Sequence, residues 1–214
     1  MIIGILGRPN MVDNLKKITY SKNLVDVILS YGAIPLGIIP PVIDINKELN
    51  RKEIENLYKI INLCDGIILQ GGTDYYNYDI EAIDYIIEKD IPVLGICLGM
   101  QSMALSTGGS EGHIEGHKSE EDYVHDIKID KDSKLYSIIN DEYIKVNSRH
   151  KDVIVDSGIY TISAYDLNGN VEAIELPNKR FNIGVQWHPE LLQDDNSEKL
   201  FLSFFKAIEE YKSK

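Results

Sequence analysis

A cysteine stands in the segment VLGICLGMQS at residues 93–102, with Gly95 and Gly99 two residues to either side. This spacing is the layout of a nucleophile elbow, a sharp turn from strand into helix, with cysteine in the place of serine. The turn crowds the positions two residues from the nucleophile, and glycine at both relieves the clash. Cys97 would then lie at a helix N-terminus, where amide dipoles favour a thiolate, and the Leu98 amide could donate to an oxyanion. A buried structural cysteine is the alternative interpretation.

A histidine suited to be the general base occurs in QWHPE at residues 186–190. His188 follows a strand-like run, so it should project from a sheet edge, and Glu190 can bond the second imidazole nitrogen. Such a carboxylate fixes the tautomer and stabilises the imidazolium. A thiol nucleophile needs a base of this kind, and we therefore predict a catalytic triad of Cys97, His188 and Glu190. Cys64 has no flanking glycine and is predicted to be a core residue.

A second oxyanion donor is predicted at Gly71-Gly72, which ends a strand-like run. Glycine lets the backbone approach closely because no Cβ intervenes, so one amide of this pair could face the substrate. A plain strand-end turn is the alternative.

The elements that would position these residues alternate between buried strands and amphipathic helices. Strands are predicted over 2–6, 34–40, 65–72 and 92–96, and helices over 21–32, 51–64, 79–90 and 98–109. This order indicates an α/β protein with a mostly parallel sheet and helices on both faces. Ligands bind beyond the carboxyl ends of such strands, where Gly71, Gly72 and Cys97 all fall.

The second half of the chain alternates polar and apolar residues more regularly. Strands are predicted over 123–129, 143–146, 159–166, 171–177 and 181–187, with a hairpin turn at DLNGN (166–170). These strands should be antiparallel and extend the sheet or form a small second one. A closing helix is predicted over 197–212, with Ser197 or Asn196 as its N-cap. Since no linker or repeat is found, residues 1–214 are predicted to form a single domain.

Charge and composition exclude several classes of protein. The formal net charge of −12 argues against a nucleic-acid partner, which needs clustered Lys and Arg. The two cysteines are too few for a disulfide framework and favour a reducing, cytoplasmic setting. The N-terminus lacks the basic region of a signal peptide, and no apolar run approaches the ~20 residues of a membrane helix.

Three motifs together resemble the class I glutamine amidotransferases: DGIILQGGTD (65–74), GICLGMQ (95–101) and GVQWHPE (184–190). The resemblance covers the whole chain and implies a flavodoxin-like fold. GILGRP (4–9), VNSRH (146–150) and the Trp of QWHPE resemble, within that superfamily, the γ-glutamyl-γ-aminobutyrate hydrolase (peptidase C26-like) branch. The residues implied are Cys97, His188 and Glu190 for catalysis, the Gly72 and Leu98 amides for the oxyanion hole, and Gln101, Asn147, Ser148 and His150 for substrate binding.

The activity implied by this branch is hydrolysis of the γ-glutamyl amide bond of a small compound through a thioester, without a cofactor. That branch usually carries Arg and a second His where Leu98 and Lys151 stand here. Leu98 is what the ammonia-producing subunits of biosynthetic synthetases carry. An ammonia-donating glutaminase subunit that acts on glutamine with a synthetase partner is therefore the alternative, and a non-catalytic sensor of glutamyl ligands is a second one. The oligomeric state, including a homodimer, is left open.

Three histidines in the middle of the chain raise the question of a metal site. His113 and His117 are four residues apart, as on a helix face, but Gly112 and Gly116 flank them and indicate a loop. With His125 near them, we favour a loop lining the active-site cleft and predict no metal.

Overall fold

The computed structural model describes residues 1–192 and 194–213. In chain order its strands are β1 (Ile2–Leu6), β2 (Arg8–Val12), β3 (Leu15–Thr19), β4 (Ile34–Ile38), β5 (Gly66–Leu69), β6 (Val93–Ile96), β7 (Ser110–His113), β8 (His125–Ile129), β9 (Tyr143–Val146), β10 (Asp152–Asp156), β11 (Thr161–Asp166), β12 (Val171–Glu175) and β13 (Asn182–Val185). The helices are α1 (Lys22–Ser30), α2 (Arg51–Ile61), α3 (Asn77–Lys89), α4 (Leu98–Ser106), α5 (Lys134–Ile139) and α6 (Asp195–Lys212), with a 3₁₀ turn at Pro189–Leu191.

A nine-stranded sheet in the order β4-β1-β5-β6-β13-β12-β11-β8-β9 forms the centre of the molecule. The strands from β4 to β13 run parallel, and each later neighbour is antiparallel to the one before it. The predicted mixed sheet with an antiparallel extension is thus confirmed. Two further two-stranded sheets, β2-β3 and β7-β10, stand apart from it.

Side chains alternate across the strands and build a core on each face of the sheet. On β1, Ile3 and Ile5 belong to the core that packs against α1, α5 and α6. Leu6 belongs to the opposite core, which packs against α2, α3 and α4. Helices therefore cover both faces, which is why the parallel strands read as continuous apolar runs. Cys64 is buried in the second core, as predicted.

Two local predictions were wrong. The segment around His113, predicted as a loop, begins with strand β7. The last helix begins at Asp195, and its N-cap is Asp194, whose carboxylate accepts a hydrogen bond from the Ser197 amide at 2.8 Å. Asp is as good a cap as Ser or Asn, so composition alone does not choose among neighbouring candidates. No helix within residues 1–192 or 194–213 has the length and apolar character needed to cross a membrane.

Candidate active site

Cys97 lies at the turn between β6 and α4 in a strained backbone conformation, with φ +54° and ψ −111°. Such a conformation costs a residue other than glycine about 1–3 kcal/mol and persists only where the surroundings hold it. A Cβ on Gly99 would overlap the Leu69 carbonyl, and one on Gly95 would lie 3.0 Å from the Gly99 backbone. Glycine is therefore required on both sides of the cysteine, which is 6% exposed.

The backbone of Cys97 is tied to the neighbouring parallel strand. Its amide donates to the Val185 carbonyl at 2.8 Å, and Ile96 stands in register with Val185. His188 follows Val185 by three residues. The cysteine and the histidine therefore leave adjacent strands at the same edge, about 4.8 Å apart in the ladder direction.

The His188 imidazole links Cys97 to Glu190. Its Nδ1 lies 2.8 Å from Glu190 Oε1, and an ionised carboxylate accepts only, so Nδ1 carries the proton and Nε2 is left for the cysteine. Burial lowers the pKa of His188, but interactions with Cys97 and Glu190 outweigh that effect and raise the pKa to about 10. The imidazole is thus held protonated at neutral pH.

The Gly71-Gly72 turn packs against both members of this pair. A Cβ on Gly71 would lie 2.9 Å from His188 Cε1 and 3.6 Å from Cys97 Cβ, and a Cβ on Gly72 would lie 2.9 Å from Leu98 Cδ2. Within residues 1–192 and 194–213, neither the Gly72 amide nor the Leu98 amide donates to a backbone carbonyl. Both amides therefore lack a carbonyl partner among the described residues, and their role as an oxyanion hole stays a prediction.

A buried ion pair that the sequence did not predict packs against the Gly71-Gly72 turn. Arg8 Nη1 lies 2.7 Å and 2.8 Å from the two oxygens of Asp79 on α3. Its Nε donates to the Gln70 carbonyl at 3.3 Å. An arginine and an aspartate far apart in sequence give no local signal that they pair.

Gln101 lies on the first turn of α4, close behind the cysteine. Its Nε2 donates to the Asp152 carbonyl at 2.9 Å and to Gln186 Oε1 at 3.2 Å. The side chain is buried and bridges α4 to β10 and to the residue after β13. A role in holding the glutamyl group stays a prediction.

Asn147 and Ser148 differ in what their side chains do. Asn147 accepts from the His188 amide at 2.8 Å and donates to the His188 carbonyl at 2.9 Å, so it supports the histidine from behind. A role for Asn147 in substrate binding stays a prediction. Ser148 Oγ is buried without a hydrogen-bond partner among the described residues, which leaves it able to bind a ligand.

His150 belongs to a cluster with His117, His125 and Glu172, and its role in substrate binding stays a prediction. Its Nδ1 bonds the Asp152 carbonyl at 3.0 Å. His113 lies outside this cluster, exposed and paired with Asp152 Oδ1 at 2.9 Å.

Replacing Asn147 with Ala should lower kcat/KM by about 10²-fold, because both hydrogen bonds that fix the His188 backbone are lost. Turnover should be measured alongside thermal unfolding, with Asn168→Ala, an exposed hairpin residue, as the matched control. Full activity in a folded Asn147→Ala protein would show that the 3₁₀ turn alone positions His188.

Comparisons with known proteins show the family of the chain. The sequence model of the family Glutamine amidotransferase class-I matches residues 11–208. A glutamine-hydrolyzing GMP synthase subunit of Methanosarcina acetivorans is 31% identical over 170 residues, 77% of this chain and 86% of that protein. A glutamine amidotransferase-like protein of Lactococcus lactis is 30% identical over 227 positions, covering 88% of this chain and 90% of that protein.

A solved structure shares the fold. The glutaminase domain of Trypanosoma brucei CTPS, with bound acivicin, superposes with a TM-score of 0.70 at 20% identity and covers 98% of this chain and 94% of that one. The family match spans the elbow, the glycine turn and the histidine turn together. The chain therefore belongs to the class-I glutamine amidotransferase family.

Proposed function

We propose that this chain is a glutaminase that hydrolyses glutamine to glutamate and ammonia and passes the ammonia to a synthetase partner. The observation that carries the proposal is the array of Cys97, His188 and Glu190 beside two free amides. This arrangement has the groups that acyl transfer from an amide needs: a nucleophile, an acid–base and an oxyanion site.

The reaction begins when the Cys97 sulfur attacks the carbon of the side-chain amide. The carbonyl oxygen becomes an oxyanion, which the Gly72 and Leu98 amides stabilise. The tetrahedral intermediate collapses when the protonated His188 gives its proton to the departing amine, so ammonia leaves and a thioester remains. Water then attacks the thioester and His188 takes the proton of the water. The carbon–sulfur bond breaks, so glutamate is released and the Cys97 sulfur and the protonated His188 are restored.

The choice of glutamine over a larger γ-glutamyl amine rests on the relatives and on Leu98. A relative that the chain covers over most of its length is part of a glutamine-hydrolyzing GMP synthase. The Leu98 side chain is buried against Gly72 and puts no charge beside the oxyanion site. Hydrolysis of γ-glutamyl amines, the activity of the branch that GILGRP and VNSRH resemble, is the second candidate.

The experiment compares substrates with and without a partner. The purified chain is given glutamine, γ-glutamyl-γ-aminobutyrate and other γ-glutamyl amines, and glutamate release is measured. The same series is repeated with a synthetase subunit that lacks its own glutaminase domain, from the same source. Cys97→Ala provides the background rate.

We expect turnover of glutamine to exceed that of the amines and to rise at least about tenfold with the partner, a coupling of about 1.4 kcal/mol. Efficient cleavage of γ-glutamyl amines by the chain alone would sink the glutaminase proposal and support the hydrolase. Ligand binding without turnover in wild type and Cys97→Ala alike would support the sensor.

A further inference from the structure

A group of three histidines surrounds a buried carboxylate in the antiparallel half of the molecule, and the proposed reaction does not use it. Glu172 on β12 is 0% exposed. Its Oε1 lies 3.1 Å from His125 Nε2, 3.5 Å from His117 Nε2 and 3.8 Å from His150 Nε2. The His117 ring centroid is 4.6 Å from that of His125 and 4.7 Å from that of His150.

The hydrogen bond at the far side of His150 fixes where its lone pair points. A backbone carbonyl only accepts, so Nδ1 of His150 carries the proton in its 3.0 Å bond to the Asp152 carbonyl. In a neutral imidazole Nε2 then presents a lone pair toward the Glu172 carboxylate. His150 Nε2 and Glu172 Oε1 are then two acceptors 3.8 Å apart in a buried place. His150 Nε2 and the second carboxylate oxygen, Glu172 Oε2, both lack a hydrogen-bond partner among the described residues. A cation between them would resolve the conflict.

We propose that His117, His150 and Glu172 form a binding site for a divalent transition-metal ion such as Zn²⁺. Their three ligand atoms lie within 4.8 Å of one another. Around zinc the ligand atoms of a tetrahedral site are about 3.4 Å apart, so side-chain shifts of about 1 Å would close the cluster. With three protein ligands, a water molecule would have to supply the fourth.

His125 and Asp152 give the site the outer support that metal ligands usually have. The Asp152 carbonyl holds the His150 ring, and His125 Nε2 holds the Glu172 carboxylate. Such partners orient ligands and set the tautomer that binds the metal.

The donor set selects the class of metal. Two imidazoles and one carboxylate suit Zn²⁺ and other first-row transition ions, whereas Mg²⁺ and Ca²⁺ prefer oxygen ligands. His117 belongs to the segment between β7 and β8, which also donates from the Ser119 amide to the Ser148 carbonyl at 2.8 Å. A bound ion would tie this segment to β12 and to the residues that follow Asn147.

The test measures Zn²⁺ binding in a Cys97→Ala parent, because the active-site thiol and His188 could bind zinc by themselves. The protein carries no polyhistidine tag and is freed of metal with a chelator. The affinity for Zn²⁺ is measured by titration calorimetry, and the number of zinc ions per chain by elemental analysis. His117→Asn removes one ligand on a surface segment, and Glu172→Gln tests the carboxylate. His113→Asn is the matched control, since His113 is close in sequence but outside the cluster.

We expect one Zn²⁺ per chain in the parent and in His113→Asn, and at least about tenfold weaker binding in His117→Asn. Zn²⁺ should raise the thermal unfolding temperature of the first two proteins, whereas Mg²⁺ should not. Equal affinity of His117→Asn and His113→Asn, or no stoichiometric binding by the parent, would overturn the proposal. Metal-free unfolding curves show whether each variant is folded, and Glu172→Gln repeats the comparison at a second ligand.

Discussion

Replacing Cys97 with Ala should lower the rate of glutamine hydrolysis by about 10⁴- to 10⁶-fold. Loss of a nucleophile leaves only the contribution of binding and of the oxyanion site, which accounts for the residual rate in other acyl-transfer enzymes. The thioester cannot form, so a glutamyl adduct should be found by mass spectrometry on the Cys97 peptide of wild type after an acid quench and be absent from the variant. The rate is measured with the synthetase partner present, where turnover is expected to be highest.

Cys64 supplies the matched control for this prediction. It is buried in the core, and burial raises the pKa of its thiol to about 12, so it stays protonated and unreactive. Cys64→Ala should keep its activity and lose about 1–2 kcal/mol of stability. Iodoacetamide should label Cys97 ahead of Cys64. Turnover by Cys97→Ala at a rate near that of wild type would place the nucleophile elsewhere.

Glu190→Gln should lower kcat by about 10²- to 10⁴-fold and move the basic limb of the pH profile to lower pH. The substituted amide side chain keeps the size of Glu190 but removes its charge. It also allows the wrong imidazole tautomer of His188, which accounts for most of the loss of rate in such a change. Glu190 raises the pKa of His188 both by its hydrogen bond and by its charge. Without Glu190, His188 loses at a lower pH the proton that the departing amine needs.

The measurement is the pH dependence of kcat/KM, which reports the pKa values of the essential acid and base in the free enzyme. In wild type, activity should fall as the pH rises through about 10, the pKa of His188. In Glu190→Gln the activity should fall at a lower pH than in wild type. Glu198 is an exposed carboxylate on α6, and in Glu198→Gln the pH at which activity falls should not change. An unshifted limb in Glu190→Gln would mean that another group controls it.

The elbow could be predicted from sequence because its requirement is local. Gly95 and Gly99 are needed for contacts made within one turn of chain or with the adjacent strand, so the spacing itself carries the information. His188 and Glu190 are likewise two residues apart. The parallel strands can be predicted from the sequence because they are buried on both faces and therefore almost wholly apolar.

The supporting residues could not be predicted because tertiary packing assembles them. Asn147 reaches the His188 backbone across 41 residues of sequence. His125 and Glu172 are 47 residues apart and meet only through the order of strands in the antiparallel half. The local spacing of His113 and His117 therefore carries no sign of His150 and Glu172, the groups that the fold brings to His117.

The bond from the Cys97 amide to the Val185 carbonyl has a consequence for how the molecule opens. It joins the carboxyl ends of β6 and β13, the fourth and fifth strands of the nine-stranded sheet. Both strands have a neighbour on each side, so we expect the Cys97 amide to exchange its hydrogen with solvent more slowly than the amides of surface segments. Surface segments can fray and reclose without disturbing the nucleophile. We therefore expect activity to disappear at the same denaturant concentration as the fold.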